Sequence, residues 1–219
     1  MKLVVFDVDG TLIDSQHQIH AAMTQAFQSE GLAPLPLSQV LQIVGLSLPE
    51  AIARLVPDAD GARQARLVAA YKAAFQMRRL MGEPSPLYPG ALECLDQLSA
   101  RDDCLLAIAT GKSRRGLAAM IEAHALQGRF VSLQTADDHP SKPHPAMLEA
   151  ALDETGIAPG DAVMIGDTSF DMQMGRSAGM AAFGVSWGYH EDDVLIQAGA
   201  ALVARDFAGL TEALKGWAG

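Results

Sequence analysis

Carboxylates, a hydroxyl and an ammonium recur in this chain at the ends of short apolar runs. Asp7 follows Leu3–Phe6 directly, Asp9 stands two residues on, and Gly10-Thr11 come behind it. Thr110-Gly111-Lys112 follows the run Leu105–Ala109, and Asp167 follows Ala162–Gly166 with Asp171 one helical turn later. Lys142 lies in Ser141-Lys142-Pro143-His144-Pro145, just ahead of a helical pattern. Brought together, Asp7, Asp9 and Asp167 would raise one another's pKa, and a hard divalent cation would remove that cost. Clustered carboxylate oxygens with room for water suit Mg²⁺. Lys142 is a compact ammonium fit for phosphate or for a carboxylate nucleophile. Thr110 can donate its hydroxyl, the amides of the Gly111 turn can cradle phosphate oxygens, and Gly10 lets the backbone approach a ligand closely. The set suits phosphoryl transfer. Asp7 would attack phosphorus to give an aspartyl-phosphate, and Asp9 would serve the leaving alcohol as acid and the incoming water as base. Mg²⁺ and Lys142 would neutralise the transferring group.

Such residues must be carried to one place by the fold. The runs Leu3–Phe6, Leu105–Ala109, Phe130–Gln134, Ala162–Gly166, Ala181–Val185 and Ala201–Ala204 read as strands. They are apolar throughout instead of alternating, which fits a parallel sheet buried on both faces. Helical patterns over 90–101, 113–125, 144–155 and 170–178 read as crossovers, so the expected class is α/β, a doubly wound, Rossmann-like parallel sheet. In such sheets ligands bind beyond the carboxyl ends of the strands, where the candidate residues fall. The region after the first strand breaks the rhythm. It reads as helices over 15–30, 38–43, 49–56 and 61–81, with apolar stripes Ile19/Met23/Ala26/Phe27 and Ala65/Val68/Ala69/Lys72/Phe75. The expectation is a small all-helical cap domain over 15–83 inserted into a core of 1–14 and 84–219. Leu12–Ser15 and the Pro- and Gly-rich stretch Gly82–Gly90 would be its linkers, acting as hinges if the cap closes over the site.

With these motifs in this order, the chain resembles the haloacid dehalogenase superfamily. Phe6-Asp7-Val8-Asp9-Gly10-Thr11-Leu12 is similar to its first motif, Thr110 to its second, Lys142 to its third and Gly166-Asp167-Thr168-Ser169-Phe170-Asp171 to its fourth. The helical insertion resembles the cap of the phosphoglycolate phosphatase-like branch. The resemblance implies Asp7 as nucleophile and Asp9 as acid/base, with a metal held by Asp7, Asp167 and the Asp9 carbonyl and supported by Asp171. It also implies a phosphatase acting on a small phosphate monoester. Dehalogenases of the superfamily lack the second Asp, which is present here as Asp9. Mutases of the β-phosphoglucomutase type keep both, but resemble one another in a His at the position held here by Ile19. A catalytically silent phosphometabolite-binding protein is the third reading, and none of the motif residues is missing. Gly45-Leu46-Ser47-Leu48 resembles the family's specificity loop; by itself it reads equally as a helix–helix turn.

The bulk numbers narrow the partners. A formal net charge of −10 over 219 residues argues against nucleic acid and against anionic membranes. Because the cap would cover the site, the expected partner is a small phosphorylated metabolite and not a phosphoprotein. No run approaches a membrane span, and Cys94 and Cys104 lack CxxC spacing and read as reduced packing residues, so the expected location is the cytoplasm. A monomer or homodimer is expected. Lys112, Arg114 and Arg115 read as an exposed helix face, His17 and His20 as cap surface with His20 nearest the cleft, and Met164, Met172, Met174 and Met180 as core.

Overall fold

The computed structural model describes residues 1–82 and 84–218, so Glu83 in the expected linker and cap boundary, and Gly219 at the end of the expected core, lie outside the described residues. The chain begins with β1 (Lys2–Phe6), then runs through α1 (Gln16–Ser29), α2 (Leu37–Leu41), α3 (Leu48–Leu55) and α4 (Gly61–Met81). It continues with α5 (Ala91–Ser99), β2 (Cys104–Thr110), α6 (Arg114–Ala123), β3 (Ser132–Thr135), α7 (Ala146–Thr155) and, after a 3-10 turn, β4 (Ala162–Gly166). It ends with α8 (Ser169–Ser177), β5 (Ala181–Val185), α9 (Asp192–Ala198), β6 (Leu202–Ala204) and α10 (Phe207–Ala218). Among the described residues these six strands pair in parallel, in the order β3-β2-β1-β4-β5-β6.

The unbroken apolar runs follow from burial on both faces. Val4, Phe6, Ile108 and Ile165 face the layer of α5, α6 and α10, where Leu95, Leu98, Leu117 and Leu210 meet them. Leu3, Val5, Ala107 and Met164 face Met147, Leu148 and Ala151 of α7 and Met174 of α8. Full burial of one such side chain is worth about 1.5–3 kcal/mol. Sequence order reverses at β1: the chain winds outward through β2 and β3, returns, and winds the other way through β4, β5 and β6. The register sets Phe6 level with Ile108 on one side and Ile165 on the other. The carboxyl ends of β1, β2 and β4 therefore lie side by side at the switch point.

The edge of the sheet departs from expectation. β3 is Ser132–Thr135, not Phe130–Gln134, because Val131 and Leu133 are exposed while Ser132, Gln134 and Thr135 are buried. The strand pairs only with β2, so its apolar residues did not mark the inward face. The helices α9 and α10 were not expected, although Phe207, Leu210, Thr211 and Leu214 have helical spacing and are buried.

The four helices after β1 form a layer with an apolar centre of its own: Ile19, Met23, Ala26 and Phe27 of α1, Val40 of α2, Ile52 of α3 and Leu67 of α4. The α1 stripe is as expected. The α4 stripe is so only in part: Val68 and Phe75 pack against this centre, but the buried residues are Leu67 and Ala74, with Tyr71 between them, whereas Ala65, Ala69 and Lys72 are exposed. In an alanine-rich helix several faces look apolar, and the larger side chain, Leu67, decides. The two connections to the sheet run together. Ile13 bridges Leu87, Tyr88 N–H donates to the Leu12 carbonyl at 2.9 Å, and Asp14 N–H to the Pro86 carbonyl at 2.9 Å.

Candidate active site

Asp7 continues β1 by one residue, its N–H donating to the Ile165 carbonyl at 2.9 Å. Its carboxylate is 1 % exposed, and neither oxygen makes a hydrogen bond. Lys142 Nζ lies 3.0 Å from Oδ1, an ion pair without hydrogen-bond geometry. Burial pushes the Asp7 pKa up to about 6, the Lys142 charge opposes that rise, and the Asp171 charge adds to it.

The turn after Asp7 is built for close approach. Val8 accepts from the N–H groups of Thr11, Leu12 and Ile13, and Gly10 sits at φ +86°, where a Cβ would collide with the Asp167 carboxylate. Thr11 Oγ1 donates to Asp167 Oδ1 at 2.8 Å, and Tyr189 N–H donates to Oδ2 at 2.9 Å. Burial, then the charges of Asp171 and Asp7, raise the Asp167 pKa well above the usual carboxylate range. Asp171 is fixed by the start of α8. Thr168 is the N-cap, its N–H and hydroxyl donate to Asp171 Oδ2 at 3.1 and 2.7 Å, and the Asp171 N–H returns to Thr168 Oγ1.

Lys142 is fully buried, with Nζ 2.7 Å from Asp171 Oδ1. Burial works to strip its proton, but the charges of Asp171 and Asp7 win and hold its pKa above the ordinary lysine value. Among the described residues, Asp7, Asp167 and Asp171 each offer an oxygen within 4.8 Å of the others. With the three ionised, one ammonium leaves two negative charges uncompensated, and neither buried Asp7 oxygen is held in hydrogen-bond geometry. The donor set fits a hard divalent cation. The side chain of Asp9, expected with this group, stands apart from it.

Asp9 instead faces the other way. Ser15 Oγ donates to its Oδ1 at 2.6 Å, and Lys112 Nζ lies 2.6 and 2.7 Å from Oδ1 and Oδ2. This corrects the reading of Lys112 as an exposed helix face: its side chain is 11 % exposed, and the ammonium also lies over the Phe75 ring of α4, 5.4 Å from the centroid. Arg114 stays on the surface, paired with Asp138. Arg115 is exposed but lines the cleft. Thr110 ends β2, buried, its hydroxyl accepting from Lys112 N–H at 3.2 Å. At Gly111 a Cβ would lie 2.5 Å from the Gly45 carbonyl and 2.7 Å from that of Leu46, so glycine admits the 45–48 loop against the strand ends.

Asp7, Asp9, Thr110, Gly111 and Lys112 form the floor of a cleft of about 460 Å³. Its roof comes from the helical layer: Ile19 and Met23, the loop Gly45-Leu46-Ser47-Leu48, and Tyr71, Phe75 and Arg79 of α4. His20 does not reach it, since its Nε2 is 2.9 Å from the Leu35 carbonyl within the layer. His17 is exposed, the four methionines are buried, and Cys94 and Cys104 are free, buried thiols. No described helix is long and apolar enough to cross a membrane.

Comparison with known proteins agrees with this arrangement. The model of the haloacid dehalogenase-like hydrolase family matches residues 4–185. A probable phosphatase IndB of Dickeya dadantii is 34 % identical over 196 residues, covering 88 % of this chain and 84 % of that protein. A phosphoglycolate phosphatase of Rhodospirillum rubrum is 34 % identical over 219 residues, covering 95 % and 89 %. The structure of a hydrolase from Pseudomonas syringae superposes with a TM-score of 0.88 at 26 % identity over the whole of both chains. The chain belongs to the haloacid dehalogenase-like hydrolase family.

Proposed function

We propose that this chain hydrolyses the phosphate monoester of a small metabolite through an aspartyl-phosphate on Asp7. The observation that carries the reading is the Asp7 carboxylate: buried, at the floor of the cleft, with neither oxygen hydrogen-bonded and an ammonium 3.0 Å away. Such a group is expensive to bury unless something uses it. In the first half-reaction an Asp7 oxygen forms a bond to phosphorus while the ester P–O bond breaks, and the leaving oxygen takes a proton from Asp9. Lys142 offsets charge on the phosphoryl oxygens, and Thr110 with the Gly111 amide holds them. In the second, water attacks phosphorus and Asp9 takes its proton. The P–O bond to Asp7 then breaks, its electron pair returns to the carboxylate, and phosphate departs.

Asp7, Asp167 and the Asp9 main-chain carbonyl would hold Mg²⁺, with Asp171 bracing Lys142 beside it. The ion would supply Lewis-acid stabilisation of charge on the transferring group. The helices α1 to α4 would act as a cap over the cleft, hinged at Leu12–Ser15 and at the described residues of the returning linker. The names of the relatives favour a phosphoglycolate-like substrate or a sugar phosphate. Hydrolysis is preferred to phosphoryl shuttling because the cleft wall carries Ile19 where the mutases resemble one another in a His, and no histidine lines the cleft among the described residues.

The test is release of phosphate from an aryl phosphate with and without Mg²⁺, alongside Asp7→Asn. Turnover should require Mg²⁺ and fall by about 10⁴-fold or more in the variant, the scale on which loss of a nucleophile acts. Turnover that survives Asp7→Asn would sink the assignment.

A further inference from the structure

Lys112 is the site residue whose role the sequence misjudged, and its surroundings are specific. Its ammonium spans both oxygens of Asp9 at 2.6 and 2.7 Å, while Ser15 Oγ holds Oδ1 from a second direction at 2.6 Å. A carboxylate's terminal torsion is otherwise broad, with little preference among orientations. Of its roughly four acceptor positions, three are taken here, which leaves one on Oδ2. The pair is not a surface ion pair of little consequence: the two side chains are 11 % and 13 % exposed, and the Phe75 ring closes over the ammonium from the helical layer. A carboxylate that accepts from an ammonium and a hydroxyl, with one open position, is arranged to take a proton from a water.

We propose that Lys112 is a positioning residue for the second half-reaction, holding Asp9 as the base that activates the water attacking the phosphoenzyme. The inference rests on the phosphatase reading above. In that step the water oxygen bonds to phosphorus, its proton passes to Asp9 Oδ2, and the Asp7–phosphorus bond breaks with its electrons returning to Asp7. Lys112 touches neither substrate nor water in this step; it fixes the carboxylate that does.

An aryl phosphate isolates the step, since its leaving group needs little protonation and the first half-reaction stays fast. Lys112→Met should lower kcat by about tenfold or more, within the 10²–10⁴ that general-base catalysis contributes. KM should fall in parallel and leave kcat/KM within about twofold, because the loss comes after the first irreversible step. Rapid mixing should give a burst of the aryl alcoholate equal to the enzyme concentration. Lys112→Arg should restore kcat, since a guanidinium fork can also span both oxygens. If Lys112→Met instead raises KM at unchanged kcat, the lysine grips the substrate and the proposal fails. A lower kcat without a burst, and without rescue by Lys112→Arg, overturns it as a general structural loss. Asp7→Asn separates the two readings. It must abolish burst and turnover; if it does not, the phosphatase reading has failed and this inference falls with it.

Discussion

The strand-end cradle and the helical roof above it are built on opposite principles. Asp7, Lys142, Asp167 and Asp171 are each at most 1 % exposed and are held by the sheet, by Thr11 and by the start of α8. The roof presents mostly apolar side chains to the cleft and meets the core along a seam of scattered polar contacts. Ser47 N–H donates to Ser141 Oγ at 2.8 Å, Ser15 lies 3.2 Å from the Tyr189 hydroxyl, and Arg115 reaches Gln76 at 3.1 Å. Charge is thus fixed in a buried, hydrogen-bonded cradle, while shape is supplied by a layer with its own apolar core. A reaction common to many substrates needs the first, and selecting among them needs only the second. Lys112 joins the two, with Asp9 on one side and Phe75 on the other.

The largest effect that would break this contrast lies at Lys142. Lys142→Met keeps the length of the side chain but leaves Asp7 and Asp171 buried without their ammonium. Removing one partner of such a pair costs about 3–5 kcal/mol. Urea denaturation should show that loss in the metal-free protein, and a smaller one with Mg²⁺ if the ion neutralises the same carboxylates as proposed. A variant as stable as the wild type without Mg²⁺ would mean the cradle is not a balanced set of charges.

A smaller effect comes from pH. Burial raises Asp7 from 3.8 to about 6 and moves Asp167 the same way, so the folded chain binds more protons than the unfolded one across that window. Stability contributed by these groups is therefore present below the unfolded pKa and is lost as pH rises through the folded one. In the metal-free protein, the urea midpoint of the wild type relative to Asp7→Asn should fall as pH rises from about 4 to about 6, and then level off. Saturating Mg²⁺ should recover the loss at the upper end, where the carboxylates are ionised. A relative midpoint that rises with pH would show that Asp7 is held below its ordinary pKa and that the cradle favours its charge.

The two regions also differed in how much the sequence disclosed. Asp7, Thr110 and Asp167 were legible because parallel strands buried on both faces read as plain apolar runs, and each run ends in a polar residue. The roof was legible as helices but not as a surface. The face of α4 was placed only in part: Val68 and Phe75 do pack inward, but alanines at 65 and 69 look as apolar as the stripe around Leu67 and Ala74. Lys112 was missed for another reason. Its neighbours Ser113, Arg114 and Arg115 read as the polar start of a helix, and its partner Asp9 is 103 residues away. The available signal was position: two residues past the end of β2, beside the strand that leads into Asp9. β3 was displaced because an edge strand needs only one neighbour and does not have to bury its apolar side chains.

The smallest effect tests the seam. Ser141 stands next to Lys142 but gives its hydroxyl to the roof, accepting from Ser47 N–H at 2.8 Å. Ser141→Ala should remove about 0.5–1.5 kcal/mol of net hydrogen-bond energy. If that energy holds the roof closed over a bound metabolite, kcat/KM should drop by up to about tenfold. Urea stability should change far less than in Lys142→Met, because no buried charge loses its partner. The two measurements together separate the regions. A loss in kcat/KM with near-native stability assigns Ser141 to closure alone. A stability loss as large as that of Lys142→Met would show that seam and cradle unfold as one unit, and that the roof is no lid but part of the structure that holds the charges in place.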